Sequence, residues 1–275
     1  MSGLFWIASY PKSGNTWVRC LVASLLTGAA APDLAALGRI CPSGSSRAWL
    51  EEVLDIPTED LTPDELARIR PVASREWAAT GGTGPLCLKV HDCHDPRLFP
   101  PDVATGAVYV VRDPRDVAPS WGDHMNVSVD EAIARMGRPG FILGRSIRGF
   151  RSQTEQVMGS WSENVTSWLD QTAVPVLLLR YEDLMADPLG ETTRLAAFLG
   201  LAAAPESITR AVAACRFEAL QAAEASGGFS EKPDGMERFF RQGRSGAWRE
   251  GLSQAQAARV VADHGAVLTR LSYER

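Results

Sequence analysis

The fold is decided by one stretch near the amino terminus: Leu4-Phe5-Trp6-Ile7-Ala8-Ser9-Tyr10-Pro11-Lys12-Ser13-Gly14-Asn15-Thr16-Trp17. Its apolar run Leu4–Ser9 predicts a buried strand, and the pattern over residues 17–26 predicts a helix directly after a glycine-containing turn. A helix amino terminus presents unpaired backbone N–H groups and the positive end of the helix dipole, which favours an anion. Lys12 adds a positive charge to this turn, and the hydroxyl groups of Ser13 and Thr16 add hydrogen-bond donors. The stretch therefore predicts an anion-binding loop between a strand and a helix.

The rest of the chain alternates between strand-like and helix-like segments. Three further short apolar runs predict strands at Leu86–Val90 and at residues 107–111 and 174–180. Runs with so few polar interruptions are typical of a parallel sheet that is covered on both faces. Their alternation with helices implies right-handed crossovers. We therefore expect an α/β fold, a parallel β-sheet flanked by helices on both faces, in a single domain over residues 1–275.

Capping signals and composition mark several helices and one loop. Thr62 with Glu65, and Ser128 with Glu131, predict two capping boxes. Residues 187–199 predict a helix that begins at an Asp-Pro pair and stops at a glycine. The glycine-rich residues 222–246 also carry three phenylalanines, which predicts a long functional loop rather than a solvated linker.

Composition and charge exclude several classes of protein. The 275 residues are 45% hydrophobic and 22% charged, and 28 Lys and Arg against 33 Asp and Glu give a net charge of −5 at pH 7. This composition does not fit a disordered, collagen-like or coiled-coil protein. It predicts no nucleic-acid or membrane partner. Five irregularly spaced cysteines form no disulfide framework, and neither a signal peptide nor a membrane span is visible, so we expect a cytoplasmic protein.

A second anion site is predicted where the strand at residues 107–111 ends. Arg112 follows the strand directly, at the edge where open α/β sheets bind ligands. Asp113 and Pro114 suit the N-cap and first position of a helix, and Ser120 lies near two turns into it. An arginine with a hydroxyl donor can bind a phosphate by charge and a directed hydrogen bond. We expect Arg112 and Ser120 to act together in this way.

The reaction chemistry is expected at the end of the strand Leu86–Val90. Lys89 and His91 point to one face there, because side chains alternate along a strand. An imidazole with an ordinary pKa of about 6.5 suits general-base catalysis on an acceptor hydroxyl at neutral pH. Asp92 and His94 remain alternatives for the base, since a strand end shifts easily by a residue. Neighbouring residues on one turn rarely supply tetrahedral zinc ligands, so we expect no metal.

The motifs at these sites resemble those of sulfotransferases that use 3′-phosphoadenosine-5′-phosphosulfate (PAPS). Residues 11–17 are similar to the family's 5′-phosphosulfate loop, and Arg112 followed eight positions later by Ser120 is similar to its 3′-phosphate motif. Lys89-Val90-His91 stands where the family has a Lys-Thr-His segment. The resemblance extends from Trp6 to Trp248, and it implies the P-loop-like sulfotransferase fold.

The resemblance also implies a role for each matched residue. His91 would be the catalytic base, and Lys12 with Lys89 would stabilise the charge on the departing 3′-phosphoadenosine 5′-phosphate (PAP). The implied cofactor-binding residues lie in the phosphate loop, near the strand ends and in the segment 241–248: Lys12, Ser13, Gly14, Asn15, Thr16, Trp17, Arg112, Ser120, Tyr181, Phe217, Arg241, Gln242 and Gly243. Gln242 replaces the lysine usual in the family, and Arg244 is a candidate to substitute for that charge.

Two other classes of function share parts of this pattern. A P-loop nucleotide kinase or phosphotransferase would need magnesium-binding carboxylates and a Gly-Lys order, whereas Lys12 precedes Gly14 here. A non-catalytic nucleotide-binding module would need no base such as His91. The acceptor is expected to be a hydroxyl-bearing small molecule of open identity, and the oligomeric state is also open. An aromatic-lined acceptor pocket is indicated by five side chains: Trp121, Met125, Phe229, Phe239 and Phe240. His124 is expected on the surface or in the core.

Overall fold

The computed structural model describes residues 3–82, 84–145, 152–232 and 236–273. Its strands, in chain order, are β1 (Leu4–Ser9), β2 (Leu86–Val90), β3 (Ala104–Val111), β4 (Ile142–Leu143), β5 (Gln156–Val157) and β6 (Val176–Arg180). Four of them form a parallel sheet in the order β2-β1-β3-β6, and β4 and β5 pair separately as an antiparallel ribbon. The predicted fold class is confirmed. The strands β1 and β2 have the predicted bounds, β3 begins three residues earlier and β6 two residues later.

The sheet topology gathers four carboxyl-terminal strand ends at one edge. Ala8 pairs with Val90 of β2, Ser9 with Val110 of β3, and Val111 with Arg180 of β6. Because β1 has β2 on one side and β3 on the other, neighbouring connections leave in opposite directions. Such a switch point opens a crevice at the carboxyl ends, where α/β sheets bind ligands.

The sheet separates two hydrophobic cores, and alternate residues of β1 supply one or the other. Leu4 and Trp6 pack into the first core with side chains of the helices around residues 117, 165 and 268. Phe5 and Ile7 pack into the second, together with helical residues near positions 21, 195 and 214. The uninterrupted apolar run of β1 is therefore explained by burial on both faces.

The helices cover both faces of this sheet and supply its connections. In chain order they are α1 (Asn15–Thr27), α2 (Leu37–Ile40), α3 (Arg47–Leu54), α4 (Pro63–Ala79), α5 (Pro114–Met125), α6 (Val129–Met136), α7 (Trp161–Leu169), α8 (Tyr181–Ala186), α9 (Pro188–Phe198), α10 (Pro205–Ala214), α11 (Phe217–Gly227), α12 (Trp248–Gly251) and α13 (Gln254–Arg270). Within the described residues, none of these helices has the length and apolar character needed to cross a membrane.

The predicted helix starts are mostly as expected, with one correction. Both reciprocal bonds of the Thr62 capping box are present at α4. At α6 only half of the predicted box forms: the Ser128 hydroxyl accepts from the Glu131 N–H, but the Glu131 carboxylate turns to Arg135 at 2.8 Å. The i,i+4 ion pair therefore replaces the second capping bond.

The loop predicted at residues 222–246 begins later than expected. Helix α11 continues to Gly227, so the loop spans residues 228–247, and its residues 233–235 lie outside the described ranges. The stretch from 217 to 227 is rich in alanine, the strongest helix former, which explains the longer helix. Glu224 of this helix accepts hydrogen bonds from the N–H groups of Phe239 and Phe240, at 2.6 and 3.0 Å, and so ties the loop to α11.

Candidate functional site

A cavity of about 950 Å³ lies at the carboxyl edge of the sheet. Its walls come from the segments after β1, β2, β3 and β6 and from loop 228–247. Most of the predicted site residues line it: Lys12, Gly14, Asn15, Thr16, Trp17, Lys89, His91, Arg112, Ser120, Tyr181, Phe217, Arg241, Gln242 and Gly243. The structure thus brings together residues that are more than 200 positions apart in the sequence.

The phosphate loop has a backbone shape that few sequences allow. Lys12 and Gly14 both adopt positive φ angles, 65° and 104°. At Gly14 a Cβ atom would stand 2.8 Å from the ring of Tyr181, so both the conformation and the close approach require glycine. Helix α1 then begins with no side-chain cap and no acidic residue in its first turn. Its first N–H groups and its dipole are therefore available to an anion.

Lys12 is the cation at the centre of this loop. Its ammonium lies over the ring of Phe239, with Nζ 4.0 Å from the ring centroid. Burial, followed by the charges of Arg241, Lys89 and Arg112, lowers the pKa of Lys12 to about 7. The cavity thus favours an anion, because a bound negative charge would offset the burial and the repulsion that together depress this pKa.

Ser13 is placed differently from its neighbours. Its side chain is fully buried, its hydroxyl has no hydrogen-bond partner within the described residues, and it does not line the cavity. Asn15 instead turns its amide group inward, donating to Ile7 O at 2.9 Å and Ser9 Oγ at 3.2 Å. The Ser13 hydroxyl therefore does not reach the cavity as the sequence predicted.

Arg112 is held at the end of β3 by contacts with three segments. Its guanidinium donates to Lys12 O at 3.3 Å and to Arg244 O at 2.9 Å, and it lies 4.5 Å from the ring centroid of Tyr181. Its Nε has no partner among the described residues. Helix α5 continues through Pro119, so Ser120 lines the cavity from the middle of that helix.

The carboxyl-terminal segment is clamped over this arginine. Asp116 of α5 accepts from the N–H groups of Gly246 at 2.7 Å and Trp248 at 2.8 Å. Gly243 lies against Phe217 so closely that a Cβ would stand 2.2 Å from the ring. The Arg241 side chain is paired with Asp123 of α5. The Arg244 side chain, the candidate to replace the charge missing at position 242, pairs with Glu250 at 2.7 Å.

The imidazole of His91 is fixed in one tautomer. Nδ1 lies 2.8 Å from the carbonyl oxygen of Ser9, to which it can only donate, and 3.3 Å from Ser9 Oγ. The neutral ring therefore keeps its lone pair on Nε2. Burial, and then the charge of Lys89, lowers the pKa of His91 to about 3, so the ring is neutral at physiological pH. A neutral imidazole with a free Nε2 can accept a proton.

The two alternatives for the base lie outside the cavity. Asp92 is 1% exposed and forms a buried pair with Arg70, with oxygen–nitrogen distances of 2.7 and 3.0 Å. His94 stacks on Phe99 and packs against Trp168. Of the three candidates read from the sequence, only His91 can reach a ligand in this cavity.

The sequence analysis assigned no role in the site to three charged or titratable residues: Arg19, Glu231 and His124. Lys89 does not stand free: its Nζ donates to Glu231 at 2.7 Å, and the same carboxylate binds Arg19. His124 lines the cavity, its ring is 6.2 Å from that of Phe239, and its Nδ1 has no partner in the described parts of the chain. The spacing of Ser120 and His124, one helical turn, was a signal for the same face of α5. No sequence signal pairs Arg19 with Glu231.

Only some of the five side chains predicted for the acceptor pocket line the cavity. Trp121, Phe239 and Phe240 line the cavity, whereas Phe229 and Met125 do not. Phe229 packs behind Phe239 with ring centroids 4.9 Å apart. Phe239 contacts both Phe240 and His124, so this part of the cavity combines aromatic walls with an uncharged imidazole.

Comparisons with known proteins bear on the family and the fold of this chain. A profile of the sulfotransferase domain matches residues 3–270. Cytosolic sulfotransferase 16 of Arabidopsis thaliana is 27% identical over 273 residues, covering 93% of this chain and 73% of that protein. Flavonol 3-sulfotransferase of Flaveria bidentis is 25% identical over 272 residues, covering 93% of this chain and 78% of that protein. The structure of retinol dehydratase with androsterone and inactive cofactor PAP has a TM-score of 0.63 at 22% identity, covering 96% of this chain and 80% of that one, and shows the same fold.

Proposed function

Because this chain belongs to the sulfotransferase domain family, we propose that it transfers the sulfuryl group of PAPS to a hydroxyl group of a small-molecule acceptor. The observation that carries the proposal is His91. Its Nδ1 is occupied by the Ser9 carbonyl, so Nε2 is the proton acceptor in a cavity that it shares with Lys12 and Lys89. Binding alone needs no such base, which favours an enzyme over a nucleotide-binding module.

The donor is proposed to lie along the sheet edge. Its 5′-phosphosulfate would meet Lys12 and the N–H groups of residues 14–17, and its 3′-phosphate would meet Arg112, Ser120 and the segment 241–243. The adenine would fill the space near Trp17, Tyr181 and Phe217. These cavity walls supply what each part requires: unpaired N–H groups and cations for the anionic groups, and aromatic faces for the base.

The proposed reaction is an in-line displacement at sulfur. The acceptor oxygen forms a bond to sulfur while its proton moves to His91 Nε2. The bond between sulfur and the bridging oxygen breaks, and that oxygen leaves as part of PAP with the bonding electron pair. Lys12, Lys89 and the first-turn N–H groups stabilise the charge that develops on it. A sulfate ester carries less charge than a phosphate ester, so we propose that these groups act without a metal.

The acceptor is proposed to be a hydroxyl-bearing ring compound, and the protein is proposed to act in the cytoplasm. Flavonols and androsterone, named for a relative and a structural neighbour, are compounds of this kind. The aromatic walls at Trp121, Phe239 and Phe240 suit a flat or alicyclic ring.

The test is an assay of the purified chain with PAPS and a panel of acceptors: 4-nitrophenol, a flavonol and androsterone. We expect a sulfate ester by mass spectrometry and equimolar release of PAP. Thermal stabilisation by PAP but not by ATP is expected alongside. Phosphorylation of an acceptor with ATP and Mg²⁺ would support the kinase alternative instead, and PAP binding without transfer to any acceptor would support a binding module.

A further inference from the structure

A chain of three charged side chains connects helix α1 to the end of β2 through loop 228–247. The Arg19 guanidinium donates to both carboxylate oxygens of Glu231, at 2.7 and 3.0 Å. The same carboxylate accepts from Lys89 Nζ at 2.7 Å. The exposed fractions of the side chains are 0% for Arg19, 21% for Glu231 and 12% for Lys89. Neither Arg19 nor Glu231 belongs to a motif already described.

The carboxylate of Glu231 is a fixed part of this site. Arg19 is locked from behind, because its Nε and Nη2 also donate to Cys41 O at 3.1 and 2.7 Å. Although burial opposes ionisation, Lys89 and Arg19 lower the pKa of Glu231 to about 2, so it is charged at neutral pH. Displacement of Glu231 would leave the buried guanidinium without a counter-charge, which is strongly unfavourable. A donor therefore has to bind beside Glu231 rather than in its place.

The fixed carboxylate determines how Lys89 can act. An ammonium group has three donors, and the bond to Glu231 takes one and leaves two for a ligand. The charged and titratable groups around Lys89 are Lys12 from the phosphate loop, His91 directly after β2, His124 from α5 and the pair Arg19–Glu231. Glu231 is the negative charge next to Lys89 in this set. It both orients the ammonium and offsets its repulsion with the other cations.

We infer that Glu231, held by Arg19, is a positioning residue that fixes the ammonium of Lys89 toward the reacting group. The inference rests on the proposed function, in which Lys89 stabilises the leaving oxygen.

The first test is the kinetics of Glu231→Gln and Glu231→Asp. We expect Glu231→Gln to lower kcat by on the order of 10-fold or more, because misplaced catalytic groups cost rate. The Kd of PAPS, whose bridging oxygen does not yet carry the charge of the leaving group, should stay within about threefold. Glu231→Asp keeps the charge and should recover part of kcat. A merely structural role would not produce this split between kcat and Kd.

A double variant separates positioning from folding, since Glu231→Gln alone leaves Arg19 unpaired. Arg19→Met with Glu231→Leu replaces the buried pair by apolar side chains, which proteins often tolerate without loss of stability. We expect it to melt near the wild-type temperature and to show the same loss of kcat. The matched control is Lys232→Met, which removes the neighbouring loop ion pair to Glu224 (3.9 Å) and should leave kcat within about twofold.

A second measurement reports on Lys89 without any turnover. The chain has three lysines, Lys12, Lys89 and Lys232, so reductive ¹³C-methylation gives few NMR signals. We expect Lys89 to be methylated faster in both Glu231 variants than in wild type, relative to Lys232. This measurement can be made even if the wild-type protein transfers no sulfuryl group. A lack of transfer would contradict the proposed function but not the position of Lys89. The inference is overturned if the reactivity of Lys89 is unchanged and kcat stays within twofold of wild type. It is also overturned if the variants bind PAP more tightly than wild type, because Glu231 would then occupy the donor site.

Discussion

At the scale of single residues, Lys12 shows most directly what the cavity is built to bind. Its backbone has a positive φ, its ammonium is pressed against Phe239, and its pKa is lowered from 10.5 to about 7, chiefly by burial. In the unfolded chain the same group would be fully charged at pH 7. At pH 7 the folded protein therefore holds a partly neutral lysine that a bound anion would return to full charge.

This state of Lys12 predicts that PAP binding depends on pH. The bound 5′-phosphate favours the protonated lysine, so binding takes up a proton above the free pKa of about 7. As pH rises from 7 to 9, the Kd of PAP should therefore increase by up to about 10-fold per pH unit. Calorimetry over this range gives the measurement. Lys12→Met should bind more weakly and lose the pH dependence; a wild-type Kd that is constant over the range would contradict the assignment.

His124 predicts an effect on the acceptor rather than the donor. Burial, followed by Lys12 and Lys89, lowers its pKa to about 3, so it offers an uncharged imidazole whose Nδ1 has no partner among the residues that the structure describes. A second polar group on the acceptor could satisfy it. We expect wild type to prefer 4-nitrocatechol over 4-nitrophenol, and His124→Phe to lose about fivefold to tenfold of that preference, the size of one hydrogen bond. The Kd of PAP serves as the control and should not change; a preference that survives the substitution would count against this role.

At the scale of elements, helix α5 organises the donor end of the cavity. Asp116 accepts from Gly246 and Trp248, and Asp123 pairs with Arg241, so one helix holds the whole carboxyl-terminal segment over Arg112. Removal of the Asp116 carboxylate leaves two N–H groups without their acceptor and frees the segment.

Asp116→Ala is therefore expected to weaken PAP binding by on the order of 10-fold, because each lost charged hydrogen bond costs about 1.5–3 kcal/mol and water compensates in part. Hydrogen exchange at Gly246 and Trp248 should become faster. Glu250→Ala, which removes an exposed pair with Arg244 at the same end, is the matched control and should change the Kd by less than twofold. Unaltered exchange at both amides in Asp116→Ala would show that the clamp does not hold this segment.

The elements themselves could largely be predicted from local sequence. The strands β1 and β2 and the Thr62 capping box follow from apolar periodicity and from three-residue spacing, which are local signals. The capping box predicted at Ser128 forms only in part, because the Glu131 carboxylate pairs with Arg135. The start of the loop was predicted too early, because the alanine-rich residues up to Gly227 continue a helix despite the glycines beyond them.

At the scale of the whole molecule, the site depends on contacts that sequence spacing does not reveal. Arg70 of α4 reaches Asp92 after β2, and the same carboxylate accepts from Val157 N at 3.1 Å, while Asp92 O accepts from Trp168 of α7. From the sequence, Asp92 was a candidate base because it stands beside His91. Its pairing with Arg70 22 positions earlier depends on the packing of α4, which no local pattern specifies.

This network predicts a large effect on stability, and the single domain over residues 1–275 stays a prediction that the same experiment can test. Asp92→Ala leaves the buried Arg70 guanidinium unpaired and should reduce the free energy of unfolding by about 3–5 kcal/mol. Urea denaturation of wild type should be a single transition. Arg70→Met with Asp92→Leu should recover much of the loss. A stable, inactive Asp92→Ala variant would indicate instead that Asp92 takes part in the chemistry.

The central claim is that His91 removes the acceptor proton during sulfuryl transfer, and one measurement tests it most directly. Turnover of an aliphatic alcohol with PAPS is compared in wild type, His91→Ala and His91→Asn, with the Kd of PAP measured for each. Both variants should lose about 10²- to 10⁴-fold in kcat, the usual contribution of a general base, with PAP affinity unchanged. Because the pKa of His91 is lowered to about 3, the wild-type rate should also show no acidic decline between pH 5 and 7. Near-normal turnover by His91→Ala with bound PAPS would contradict the account.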